Sequence, residues 1–197
     1  MSEEKESFRS SKSQTTLQLA GGAIFGALSI VFAVLAAFLP RTPEGFAYFD
    51  PVSIIWVLCF IIFGPVAGIL CSIIGMIGLM FFDPFAPIGP LLKLCATLPM
   101  IIVPTILKKL YKPEVGSDVL LDRKNYFVSG VIAIVVRIVI MIPINIVLYI
   151  ALGFPMAGLG YWIIIVIVLN ALQGLWDMLV PYIIVVGAKL NERFEIW

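Results

Sequence analysis

Between Tyr161 and Gly187 the chain runs through Trp162-Ile-Ile-Ile-Val-Ile-Val-Leu169 and Val180 to Val186. Runs this apolar suit only lipid or a packed apolar interior. One helical face of the same span carries Asn170, Gln173 and Asp177, spaced i, i+3 and i+7. A carboxylate and two amides there are costly unless they pair, meet water or hold a ligand. The rest of the chain must therefore supply something for this polar stripe to meet.

Composition agrees with that span. Of 197 residues, 61% are hydrophobic and 13% charged, against about 25% charged in soluble domains. With a mean hydropathy of +1.11, the chain reads as an all-α integral membrane protein with little outside the bilayer. A net charge of +1 and the lack of any basic-aromatic surface segment give no case for a nucleic-acid partner. Histidine is absent, which removes the commonest metal ligand and general base. Cys59, Cys71 and Cys95 lie in apolar spans without CxxC spacing and read as buried thiols. No metal or cofactor is expected.

Six spans follow from hydropathy and from Pro, Gly and charge punctuation: about Thr16–Leu39, Pro51–Phe63, Val66–Phe82, Leu91–Leu107, Tyr126–Ile150 and Tyr161–Gly187. Asp50-Pro51 is a favourable helix start, and Gly64-Pro65 divides the second span from the third. Residues 1–14 read as a disordered cytoplasmic tail, 15–190 as the six-helix membrane domain and 191–197 as a second cytoplasmic tail. Of the 13 Lys and Arg, Lys5, Arg9 and Lys12 precede the first span. Lys108, Lys109, Lys112, Arg123 and Lys124 join the fourth to the fifth, and Lys189 and Arg193 follow the sixth. Only Arg41 falls in the opposite loops, while Lys93 and Arg137 lie within spans. The positive-inside rule then puts both termini in the cytoplasm and loops 40–50, 83–90 and 151–160 outside.

Helical rise places Asp177 roughly 24 Å below the outer end of the sixth span, and Arg137 about 17 Å above the inner end of the fifth. The two charges sit at comparable depth and are expected to pair, since either alone in lipid is very costly; contact of one with ligand or a proton path is the alternative. Toward the outside, Asn145, Asn170 and Lys93 with Gln173, rimmed by Tyr48 and Trp162, have the makings of a pocket for a small, planar, polar molecule. The aromatics also fit an ordinary interfacial belt. In the first span, Gly22/Gly26 and Ala23/Ala27 form overlapping small-xxx-small pairs, with Ala20 on the alanine side. Such residues admit close helix approach, either within the protein or to a partner.

Taken together, these features resemble the substrate-binding S components of energy-coupling factor vitamin transporters. The resemblance rests on six spans in under 200 residues, both ends inside, and Ala23-xxx-Ala27. Phe49-Asp50-Pro51 through Phe63-Gly64-Pro65-Val66-Ala67-Gly68 is similar to the second and third spans of riboflavin-type members. Asn170-x-x-Gln173-Gly174 resembles their flavin-contacting Asn-x-x-Lys-Gly, with Gln173 in place of the lysine. The resemblance implies capture of a vitamin, riboflavin first, from outside. It also implies delivery through a transmembrane coupling subunit, which Ala20, Ala23 and Ala27 would contact, and two ATPase subunits. The chain has no phosphate-binding Gly-rich loop or Walker lysine and is expected to be a binding subunit, not an enzyme. Another vitamin or precursor, a stand-alone carrier, and a membrane-embedded enzyme using Asp177, Arg137 or Asp83 are the alternatives.

Overall fold

Among the described residues, the turn signals in the sequence separate helices and no strands. The computed structural model describes residues 2–36, 38–43, 46–111, 120 and 122–190, with side chains from Ser13 onward except Tyr111. Much of the loop expected at 108–124 (112–119 and 121) and the tail at 191–197 lie outside the described residues. Six α-helices follow in order among the described residues: α1 (Ser2–Ala36), α2 (Pro51–Phe63), α3 (Pro65–Leu79), α4 (Ile88–Tyr111), α5 (Arg123–Ala151) and α6 (Leu159–Gly187). Four helical stretches are long and apolar enough to cross a membrane: Ser13–Ala36, Ile88–Leu110, Arg123–Ala151 and Met156–Gly187. The protein is an all-α membrane protein.

Local chemistry explains the boundaries. Asp50 caps α2, its Oδ1 accepting from Val52 N at 3.1 Å, and Pro51 opens the helix with the φ it already prefers. Gly64 then takes φ 95°, a region that side chains with a Cβ avoid, and Pro65 starts α3. α4 runs through Pro99 and Pro104 as one element. α1 begins at Ser2, over residues read from sequence as a disordered tail. Glu and Lys are good helix formers, and neither Gly nor Pro occurs before Gly21, so nothing stops the apolar helix from extending backward.

α1 packs on α3 and α2, α4 on α5, and α5 on α6; α2–α6 and α3–α4 contacts join the two halves. α2 is the centre of the assembly, buried at every position from Val52 to Ile62. The small residues of α1 divide between two faces. Gly22 and Gly26 are buried against α3, where a Cβ on Gly26 would lie 2.8 Å from the Ile74 Cβ, and one on Gly22 would lie 3.0 Å from the Ala67 carbonyl oxygen. Ala20, Ala23 and Ala27 are exposed on the outer face. The glycines are thus the internal packing pair, and the alanines have no such role.

Candidate binding site

Loop 38–50 closes on itself before α2 begins. Arg41 and Ala47 form an isolated antiparallel bridge, Thr42 N donates to Phe46 O at 2.8 Å, and Phe46 N donates back to Thr42 Oγ1 at 3.1 Å. This loop, the segment after α3, and helices α4, α5 and α6 enclose a cavity of about 840 Å³. The α5 wall repeats at every fourth residue, Arg137, Met141, Asn145 and Tyr149, all buried on one face. α6 contributes Trp162, Asn170 and Gln173, and α4 contributes Leu92, Lys93 and Ala96.

The floor is built around Arg137. Its Nη1 donates to Asp177 Oδ2 at 2.7 Å, Nε to Asn170 Oδ1 at 2.9 Å and Nη2 to Gln173 Oε1 at 2.8 Å. One guanidinium fork thus takes the whole stripe of α6, in the planar geometry that suits arginine. The Arg137 and Asp177 side chains are 2% and 1% exposed. Ser53 Oγ supplies Asp177 Oδ1 at 2.6 Å and links α2 to the same network. Gln173 Nε2 donates to the Ala47 carbonyl, fastening the loop to the floor. Asn170 Nδ2 donates to Val166 O at 2.8 Å.

A second ion pair stands in the wall, Lys93 Nζ to Asp50 Oδ2 at 2.7 Å. The aromatic part of the lining centres on Trp162, with ring centroids 5.2 Å from Phe46, 5.4 Å from Tyr149 and 5.8 Å from Phe154. Tyr149 is held in place by its hydroxyl, which donates to Pro155 O at 2.7 Å.

Five of the residues expected at a pocket therefore line one cavity: Asn170, Gln173, Asn145, Lys93 and Trp162. Asn170 and Gln173 reach it with their polar atoms engaged by Arg137 and the backbone. Tyr48 does not line the cavity and is 44% exposed. The bridge and turn at 41–47 aim Phe46 inward, and the bend at Tyr48–Phe49 leaves the tyrosine outside. Sequence reasoning missed Ser53 and the wall role of Asp50. The signal for Ser53 was its isolation, since it is the only hydroxyl in the apolar run of α2. No family model, curated protein or solved structure matches the chain.

Proposed function

We propose that this chain is the substrate-binding subunit of an energy-coupling factor type transporter. It would lie in the cell membrane with six spans and both termini cytoplasmic, and take up a small vitamin from outside. The cavity carries this reading. Its volume of about 840 Å³ falls in the range of about 300–1,000 Å³ usual for small-molecule sites. It lies among loops 38–50, 80–87 and 152–158, the connections that are poor in Lys and Arg. The cavity is lined by Arg41, Lys93 and Arg137 against Asp50 and Asp83, with Asp177 paired to Arg137, and this balance of charge favours an uncharged molecule over one that would have to shed water from a net charge.

Riboflavin is the first candidate. The resemblance expects a cation at position 173, and the chain has Gln173 instead. A guanidinium nevertheless stands 2.8 Å from the Gln173 Oε1, because Arg137 brings the charge from α5. The outward-facing Ala20, Ala23 and Ala27 leave a smooth strip on α1 for a coupling subunit. ATP hydrolysis belongs to the partner subunits in this reading, and this chain contributes no catalytic group.

Detergent-solubilised protein is expected to quench riboflavin fluorescence saturably with a Kd below about 1 μM, near −8 kcal/mol. Pantothenate, pyridoxine and thiamin should compete poorly. Tight binding of one of those instead changes the vitamin and keeps the transport reading. If none binds and nothing co-purifies by mass spectrometry, the reading is lost. The topology has its own check by cysteine labelling. Gly158→Cys is expected to react with an impermeant maleimide from outside, and Lys109→Cys only after the membrane is opened. External reaction of Lys109→Cys would overturn the six-span arrangement.

A further inference from the structure

Among the described residues, two buried polar atoms on cavity-lining side chains have no hydrogen-bond partner, and they differ in kind. Asn145, on α5 two turns beyond Arg137, is 2% exposed and lines the cavity. Its Nδ2 donates to Met141 O at 2.9 Å. Its carbonyl oxygen Oδ1 is buried with no hydrogen-bond partner among the described residues. Trp162, at the start of α6, lines the same cavity, and its Nε1–H is also buried without a partner. The remaining orphan, Trp56 Nε1, belongs to the core between α1, α2 and α3 and does not line the cavity. Buried polar atoms are nearly always satisfied, and one left bare calls for an explanation.

Both residues belong to the cavity wall, one on α5 and one at the start of α6. Tyr149 is one turn beyond Asn145 on the same face of α5, and the Trp162 ring packs on Tyr149 at 5.4 Å. The wall thus carries a lone acceptor and a lone donor, with aromatic rings among its lining. Asn170, Gln173 and Arg137 are occupied with one another, and Lys93 is occupied with Asp50.

We infer that the ligand is recognised through a lactam or imide edge, its N–H donating to Asn145 Oδ1 and its neighbouring carbonyl accepting from Trp162 Nε1–H. Resting on the reading of the cavity as a vitamin site, this assigns specificity to α5 and to the first turn of α6. The Asn170–Gln173 stripe then holds Arg137 instead of the ligand edge. The substrate class is an uncharged heteroaromatic with an N–H beside a C=O. A ring nitrogen without its hydrogen leaves Asn145 unsatisfied.

The test compares riboflavin with N3-methylriboflavin, which keeps the flavin ring but lacks the imide hydrogen, on the purified full-length chain. Wild type is expected to bind the methylated flavin about 10- to 100-fold more weakly, as loss of a buried hydrogen bond plus a methyl clash would give. In Asn145→Leu the two flavins should bind alike within about twofold, because the acceptor that distinguishes them is gone. Trp162→Phe keeps an aromatic ring and removes only the donor, and should weaken riboflavin by about 5- to 30-fold. Equal binding of both flavins to wild type overturns the inference without help from any variant, and so does full discrimination in Asn145→Leu. If pyridoxine, which has no lactam, binds tightly and flavins do not, the edge is wrong and the transport reading stands. If no vitamin binds, both fall together.

Discussion

Asp177→Ala alone is expected to cost about 3–5 kcal/mol of stability, because it leaves the Arg137 guanidinium buried without a counter-charge. Asp50 is already engaged by Lys93 at 2.7 Å. Asn170 and Gln173 each accept one guanidinium hydrogen bond, but neither carries charge. Arg137→Met alone should cost a similar amount, since Asp177 would retain only the Ser53 hydroxyl. The double variant Arg137→Met/Asp177→Leu should recover much of the loss, because two apolar side chains ask for no solvation. The measurement is the folded fraction surviving a thermal challenge, read by size-exclusion chromatography for wild type, both singles and the double. If Asp177→Asn is as stable as wild type but no longer binds ligand, the carboxylate serves the ligand and the structural account of the pair is wrong.

Ala23→Trp and Ala27→Trp are each expected to reduce vitamin uptake to background in cells carrying the complete transporter, while the purified subunit binds its ligand unchanged. Both alanines are exposed and neither lines the cavity. A large side chain there blocks only another helix that comes as close as small residues permit. The inner face of the same helix should answer differently. Gly26→Leu would drive side-chain atoms into Ile74, so folded yield should fall before transport can be measured. Uptake that survives both tryptophan substitutions would remove this face from the partner interface. Loss of binding with an intact complex would move it into the ligand pathway.

Elements with covalent or charge punctuation were legible in the sequence. Asp50-Pro51 and Gly64-Pro65 set both ends of α2, because a cap, a fixed φ and a positive φ act within a few residues. Which small residues of α1 face inward was not legible. Gly22 and Ala23 are adjacent, their i+4 partners are equally small, and the choice is made by the opposing surface of α3. Depth counting brought Arg137 beside Asp177, but it treats charges as pairs. It had no means to anticipate that one guanidinium would also take Asn170 and Gln173, which depends on the fork geometry of arginine. Phe46 and Tyr48 were equivalent as sequence. A threonine hydroxyl and a single bridge decided which ring entered the cavity.

The shortness of α2 has a consequence for how the protein is made. Its 13 residues span about 20 Å, some 10 Å less than a typical hydrocarbon layer. A helix that short does not cross a layer of that thickness unaided, and irregular backbone at such depth is tolerated only beside protein or water. The Ala47 carbonyl takes its hydrogen bond from Gln173, and the acceptors of Arg137 are Asn170, Gln173 and Asp177, all on α6. An early loop and the fifth helix therefore depend on a helix translated after both of them. A chain without α6 would leave the Arg137 guanidinium without its three acceptors and the Ala47 carbonyl without the Gln173 donor.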